Sequence, residues 1–113
     1  MAAVANLRID QGTTFSSDVT VTDNAGDVFN LTGYTAQAKM ALGYSSTRTR
    51  VTITTTISTP ETGVVTLSLS ADQTSALEAP ARYVYDVEIT RTSDSTITRV
   101  IEGIITVHPQ VTT

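Results

Sequence analysis

The chain has 113 residues, of which 40% are hydrophobic and 16% are charged, and this composition predicts one folded domain instead of a disordered chain. Eleven Asp and Glu residues against seven Lys and Arg residues give a net charge of −4, the wrong sign for a surface that displaces counterions from nucleic-acid phosphates. No apolar run approaches the roughly 20 residues that span a bilayer, and the first residues lack a basic, apolar secretion signal, so we expect neither a membrane span nor ordinary export.

Threonine usage points to the fold class. The sequence contains 23 threonines and no cysteine. Threonine is β-branched and favours strands over helices, while the lack of cysteine excludes disulfides, thiolate nucleophiles and thiolate metal sites. Apolar and polar residues alternate with a period of two in short segments separated by turn-forming residues. This pattern predicts an all-β sandwich or barrel.

The first half of the chain contains four alternating segments. We predict strands in them, at residues 7–9, 14–22, 27–31 and 35–42. Asp23 to Gly26 has turn-forming side chains followed by a glycine, so we predict that it joins the second and third strands as a hairpin. Residues 43–49 show no apolar period, and we expect there an exposed loop of the kind that often contacts other molecules.

The second half contains four further strands and the only helix that we predict. The strands fall at residues 50–57, 64–69, 82–92 and 96–107, and the first two of them are expected to pair. Ser70 and Gln73 have the spacing of a capping box, in which each side chain bonds the backbone N–H of the other residue. We therefore predict a short helix from Ala71 to Leu77.

The last predicted strand has an irregular pattern. Val100 and Ile104 break the alternation of its other apolar residues, which predicts either a bulge near Gly103 or burial of both faces. Pro109 has no N–H to donate to a neighbouring strand, so we expect the sheet to end there.

His108 is the only histidine and therefore the first candidate for a metal or catalytic site. With no cysteine, a transition-metal site would need this side chain together with carboxylates from elsewhere in the chain. The sequence also lacks the Gly-x-Ser-x-Gly pattern of a nucleophilic serine. We favour an exposed His108 in a terminal segment, and we predict no enzyme, no metal and no cofactor.

Asp86 and Glu88 are the candidate pair of catalytic carboxylates. Two positions apart on a strand, they project from one face about 7 Å from each other, within the range found in glycoside hydrolases. The alternative, which we favour, is that they form the wet face of an amphipathic strand.

The next candidate sites are an acidic turn, which could bind calcium, and a glycosylation sequon. Asp23, Asn24 and Asp27 cluster as calcium ligands would, but the later ligands of an EF-hand are missing and ordinary hairpin chemistry explains the turn. Asn30 and Thr32 match the glycosylation sequon, to which we give no weight because no secretion signal accompanies it.

Two arginines and two tyrosines complete the candidates. Arg48 and Arg50 alternate with threonines where the 43–49 loop enters a strand, and they would suit an acidic partner, although a solvated strand edge is the interpretation that we favour. Tyr83 and Tyr85 are expected in the core and not on a binding platform.

Several short motifs occur in a characteristic order along nearly the whole chain. They are Gln11-Gly12-Thr13-Thr14-Phe15, Asp23-Asn24-Ala25-Gly26, Asn30-Leu31-Thr32-Gly33-Tyr34-Thr35-Ala36, Glu61-Thr62-Gly63, Arg82-Tyr83-Val84-Tyr85-Asp86-Val87-Glu88, Arg99-Val100-Ile101-Glu102-Gly103 and Val107-His108-Pro109-Gln110-Val111-Thr112. In this arrangement the chain resembles a family of small tailed-phage and prophage virion proteins, and is similar to the immunoglobulin-like N-terminal domain of phage baseplate upper proteins.

The resemblance implies both a fold and a role. The fold is an immunoglobulin-like antiparallel β-sandwich of about seven to eight strands, forming one domain over residues 1–113. The role is that of a non-catalytic structural or accessory protein of the virion, assembled in the host bacterial cytoplasm and placed in the tail, baseplate or neck. Baseplate upper proteins continue into a stalk or fibre-binding part, whereas this chain ends at Thr113. We therefore expect an accessory subunit and not an anchor for a receptor-binding protein.

We expect the partners to be other virion proteins, including copies of the chain itself, and neither nucleic acid nor membrane. The contact segments would be residues 1–10, 43–49 and 109–113, which are least committed to the core, and the candidate contact residues are Leu7, Ile9, Tyr44, Arg48, Arg50 and Val111. The alternatives are a capsid decoration or head-fibre-anchoring protein, a carbohydrate- or calcium-binding surface module, and a small hydrolase.

Overall fold

The structure, a computed structural model, describes residues 3–23, 25–45 and 48–112 and consists mostly of strands. The strands are β1 (Ala3–Val4), β2 (Leu7–Asp10), β3 (Phe15–Thr20), β4 (Tyr34–Ala41), β5 (Val51–Thr56), β6 (Val64–Leu69), β7 (Ala81–Arg91) and β8 (Ile97–His108). Helical turns occur in these ranges as a 3-10 turn at Pro60–Thr62 and as α1 (Ala71–Ser75). None of the helices found in the described ranges is long and apolar enough to cross a membrane.

The strands form one curled sheet in the order β1-β8-β7-β4-β5-β6-β3, with β2 also paired to β8. The sheet bends at β5, whose first half pairs with β4 and whose second half pairs with β6. With β3 taken as strand B and the rest in chain order, one layer holds strands B, E and D and the other holds C, F and G. That is the strand order of an immunoglobulin-like sandwich, and the predicted all-β class is confirmed.

The sheet is mixed and not purely antiparallel. Both β1 and β2 run parallel to β8, with Ala3 opposite Ile101 and Leu7 opposite Ile105. Parallel neighbours need a crossover between them, and here nearly the whole chain separates the two partners. The first and last segments of the described chain therefore lie side by side at one end of the sheet.

The core lies between the two layers. It is lined by the inward-facing residues of the alternating strands and includes Ile9, Phe15, Val19, Leu31, Met40, Ile53, Leu67, Tyr83, Tyr85, Val87, Ile89, Ile101 and Ile105. In β7 every second residue from Tyr83 to Ile89 is buried, as the alternation predicts. The two tyrosines are core residues, which confirms that expectation.

The predicted hairpin after β3 is only half right. The Asp23 carboxylate accepts hydrogen bonds from the backbone N–H groups of Ala25 and Asp27, at 2.9 and 3.0 Å, so the turn is present; Asn24 lies outside the described residues. The predicted strand at residues 27–31 is wrong, because the return consists of one isolated bridge between Thr22 and Val28. The segment then crosses to the other layer and buries Leu31 in the core.

The start of the helix follows from local chemistry, whereas the position of the bulge follows from the pairing of β8 with β7. Ser70 and Gln73 form the predicted capping box, with hydrogen bonds of 3.2 and 2.8 Å, and α1 starts directly after it. In β8 the register shifts opposite Val87 and Glu88, which face Ile101 and Arg99. Val100 is thus the extra residue, and the bulge lies three positions before Gly103.

Candidate interaction surfaces

The N-terminal segment is more committed to the fold than the sequence indicates. Ile9 is fully buried and belongs to the core, so its prediction as a contact residue is wrong. Leu7 is half-buried and packs against the same core, which leaves little of it for a partner. Both are held there because β2 pairs with β8 along its whole length. Val4, in β1, is a large apolar residue that is 69% exposed and therefore accessible to a partner.

The 43–49 loop is exposed, and Arg50, the predicted contact residue directly after it, has an internal role. Tyr44 is 74% exposed, and the Arg48 side chain is exposed too. The Arg50 guanidinium instead donates hydrogen bonds of 3.0–3.4 Å to backbone carbonyl oxygens of Gly43, Tyr44, Ser45 and Arg48. Arg50 therefore holds the loop in shape and presents Tyr44. Residues 46 and 47 lie outside the described part of the chain.

The C-terminal segment, residues 109–112, leaves the sheet beside the connection between β2 and β3. The Gln110 backbone N–H donates to Oε1 of Gln11 at 3.2 Å, and the Gln11 side chain donates in turn to the Leu77 carbonyl at 2.9 Å. One residue further on, Val111 is 95% exposed. This predicted contact residue is thus fully accessible next to an anchored segment.

The connection between β2 and β3 is fixed by one buried hydroxyl. Thr74 in α1 is fully buried; its Oγ1 accepts from the Gly12 N–H at 3.0 Å and donates to the Thr13 carbonyl at 2.8 Å. The short helix therefore positions the start of β3. The sequence predicts the helix but not this role, because the partners are more than 60 positions apart in the chain.

The candidate carboxylates lie on the outer face of the sheet. Asp86 forms an ion pair of 3.3 Å with Arg99, which also pairs with Glu102 at 3.4 Å. Glu88 lies opposite Gln37 on the neighbouring strand. Asp86 and Tyr44 both line a cavity of about 60 Å³, but that volume is far below the roughly 300–1,000 Å³ of ligand pockets. The arrangement favours a solvated, charge-balanced face.

The candidate metal residues are not brought together. His108 is the last residue of β8, half-buried and opposite Asp10, and does not follow the strand as expected. Within residues 3–23, 25–45 and 48–112 no three His, Asp or Glu side chains are grouped to hold a metal ion. Asp23 Oδ1 already accepts two backbone N–H groups of its turn. Asn30 likewise bonds the Thr32 N–H, in the middle of the sequon.

A groove that the sequence did not predict lies at one end of the sandwich. Its volume is about 270 Å³, and Val21, Phe29, Tyr34 and Ile89 line it with Arg91 at the rim. Tyr34 packs edge-on against Phe29 at 5.3 Å, and the Arg91 guanidinium lies 5.8 Å from the centre of the Tyr34 ring. These residues come from three separate segments, which is why sequence patterns did not reveal the groove.

Hydrogen bonds and burial shift the pKa values of Arg91, Asp94 and Tyr85. The hydrogen bond from Arg91 to the Tyr34 hydroxyl raises the pKa of Arg91, and the backbone N–H of Thr96 lowers the pKa of Asp94 in the turn before β8. Burial raises the pKa of Tyr85 to about 12. The Tyr85 hydroxyl donates to the Ala5 carbonyl and so ties β1 to the sheet.

The outer edge of β3 is a free strand edge. β3 is the last strand of its layer and pairs with β6 on one side over residues 15–20. Among the described residues, no strand pairs with its other side. Exposed backbone groups on such an edge can accept a strand from another chain.

No protein-family model matches this chain, and no curated protein matches it significantly. The interpretation of these surfaces therefore depends on their own chemistry and geometry.

Proposed function

We propose that the chain is a structural or accessory subunit of a tailed-phage virion, non-catalytic and held by protein–protein contacts in the tail, baseplate or neck. One observation carries the proposal. The three most exposed large apolar side chains of the described residues are Val111, Tyr44 and Val4, at 95%, 74% and 69%. One falls in each of the three segments that the sequence predicts as contacts.

The fold does not need these three side chains. The core is complete without them, and each lies on a loop or near a terminus, where contact residues concentrate. Tyrosine is enriched at protein interfaces because it combines a large apolar ring with a polar hydroxyl. Arg50 fixes the backbone around Tyr44, so little entropy is lost when a partner binds this loop.

The sheet edges support the same role. β1 and β2 end the sheet on one side and β3 ends it on the other, so the domain offers strand edges to neighbours in an assembly. The virion as the setting comes from the resemblance of the motif order to phage virion proteins.

Incorporation into particles tests the proposal. An epitope-tagged chain, expressed while the encoding phage or prophage is produced, is expected to co-purify with intact particles through a density gradient. The triple variant Val4→Ser, Tyr44→Ser, Val111→Ser should be incorporated about tenfold less, since a hot-spot side chain contributes about 2 kcal/mol or more to binding.

Ile97→Ser is the matched control, because Ile97 is 62% exposed but lies outside the three segments. It should be incorporated like the unaltered chain, and thermal melts should show that both variants are folded. Particles that lack the unaltered chain would contradict the proposed function, whereas equal incorporation of the triple variant would contradict only the assignment of the contacts.

A further inference from the structure

We propose that the free edge of β3 pairs antiparallel with the β3 edge of a second copy of this chain, about a two-fold axis through Ser17. The pairing would join the β3–β6 layers of two copies into one continuous sheet. The proposal deepens the proposed function, on which it rests for its setting in an assembly, by naming one partner and one surface.

Alternate residues of β3 direct their backbone N–H and C=O groups away from β6. Val21 continues the β3–β6 register and donates its N–H to the Gly63 carbonyl at 2.7 Å. In an antiparallel ladder the N–H and C=O of one residue point to the same side, and the side alternates along the strand. The backbone groups of Ser16, Asp18 and Thr20 therefore point away from β6, towards the free edge.

β3 lacks the features that usually protect an edge strand from pairing with another chain. Natural edge strands are guarded by lysines, prolines, bulges or inward charges. β3 has an unbroken register with β6, contains neither lysine nor proline, and carries one charge, on Asp18. One Asp18 oxygen is already occupied, because it accepts a hydrogen bond of 2.7 Å from the Thr66 hydroxyl.

The register of the proposed β3–β3 pairing follows from the alternating direction of the backbone groups and from the charge of Asp18. Residues that face each other across a two-fold axis must both direct their backbone groups outward, or both inward, so the axes with the longest overlap pass through Ser17 or Asp18. An axis at Asp18 would place two carboxylates directly opposite each other, which is destabilising. An axis at Ser17 instead places Asp18 opposite a Ser16 hydroxyl, which can donate to its second oxygen.

The same register matches the apolar faces. Phe15 and Val19 both point into the core from β3 and are 8% and 5% exposed. With the axis at Ser17, Phe15 of one copy lies opposite Val19 of the other, so the apolar inner face continues across the junction. Aromatic and β-branched cross-strand pairs of this kind stabilise sheets.

The edge is short, so the pairing is weak in dilute solution. Stable interfaces bury about 1,200–2,000 Å², more than one six-residue strand pair supplies, but many copies in one assembly would strengthen it by multivalency. Disulfide trapping suits a weak contact, and the chain has no cysteine of its own to interfere.

The test compares Ser17→Cys with Ser16→Cys in the full chain under mild oxidation. Across the proposed axis the Cα atoms at position 17 of the two copies would be about 4.5 Å apart, as in a non-hydrogen-bonded pair, which a disulfide bridges. The Cα atoms at position 16 of the two copies would be diagonal neighbours about 7–8 Å apart, beyond a disulfide's reach. Although Ser16 is the more exposed residue, Ser17→Cys should form the covalent dimer at least about tenfold faster.

A second variant tests the edge itself. Ser16→Pro removes an outward N–H and leaves the β3–β6 hydrogen bonds intact, since proline is tolerated on that side of an edge strand. Added to Ser17→Cys, it should lower dimer formation to the level of Thr54→Cys, a control on β5, while the thermal unfolding midpoint changes little.

Three results would overturn the pairing. They are dimer formation by Ser17→Cys no faster than by Thr54→Cys, faster dimer formation by Ser16→Cys, and capture of a different virion protein by Ser17→Cys in place of a second copy. None of them affects the incorporation experiment on the particle. Dimers in solution combined with particles that lack the chain would contradict the proposed function alone.

Discussion

Gly103 lies where any side chain would collide with the backbone of a neighbouring segment. A Cβ built at this position lies 2.3 Å from the Ala5 carbonyl oxygen, a backbone atom that the Tyr85 hydroxyl holds in place. Gly103→Ala should therefore lower the free energy of unfolding by about 1–3 kcal/mol, the usual cost of overpacking, as measured by urea denaturation.

Gly43→Ala is the control, because the nearest atoms to a Cβ there are 3.7 Å away. It should change stability by less than about 0.5 kcal/mol. Equal stability of the Gly103→Ala and Gly43→Ala variants would contradict the close approach of β1 to β8.

Tyr85 makes stability depend on alkaline pH. Its pKa is raised from 10.0 to about 12 by burial, so the unfolded chain loses the hydroxyl proton at lower pH than the folded chain. The stabilisation that the protonated Tyr85 hydroxyl contributes is fully present below pH 10 and is lost as the pH rises towards 12. The free energy of unfolding therefore falls across this window.

Tyr85→Phe should have a lower stability at neutral pH, because the hydrogen bond to Ala5 is lost, but a shallower decline above pH 10. Urea denaturation at several pH values measures both. Parallel declines in the variant and the unaltered chain would show that Tyr85 ionises alike in the folded and unfolded states.

At the scale of elements, the capping box gives a direct prediction for α1. Ser70→Ala removes the hydroxyl that accepts the Gln73 N–H, so the free energy of unfolding should fall by about 1 kcal/mol. Because Thr74 in the same helix fixes the start of β3, hydrogen exchange at the Gly12 amide should also become faster. Ser58→Ala, at an exposed serine outside the helix, should change neither measurement.

Elements specified by nearby residues are the ones that the sequence predicts well. β7 alternates regularly from Tyr83 to Ile89, and both partners of the capping box lie within four positions, so each pattern contains its own explanation. The predicted strand at 27–31 fails because tertiary packing decides it: Leu31 is drawn into the core instead of extending a hairpin. The bulge falls at Val100 for a similar reason, since pairing with β7 sets its position.

The candidate contact residues also divide into those that the local sequence pattern predicts correctly and those whose position depends on distant segments. Tyr44 and Val111 are exposed, as expected for segments without an apolar period. The prediction of Ile9 as a contact residue is wrong because a two-residue alternation does not reveal that β2 pairs with β8, almost a hundred positions later. The internal role of Arg50 and the groove beside Arg91 also depend on contacts between separated segments.

At the scale of the whole molecule, the described residues form an apolar core between two layers and a charge-balanced outer face. Among the strands of these residues, β1 and β2 end the sheet on one side and β3 ends it on the other. The proposed role in an assembly follows from the edges and from the exposed apolar residues of the three contact segments. The outer-face carboxylates take no chemical part in it.

Electron cryo-microscopy of particles purified from the phage or prophage that encodes the chain is the decisive test of the proposed virion role. We expect density for this sandwich in the phage tail, baseplate or neck, in a copy number that follows the local symmetry. The 43–49 loop, β1 or the C-terminal residues 109–112 should lie against neighbouring proteins. Particles without this density, in a preparation where mass spectrometry also fails to detect the chain, would contradict this role.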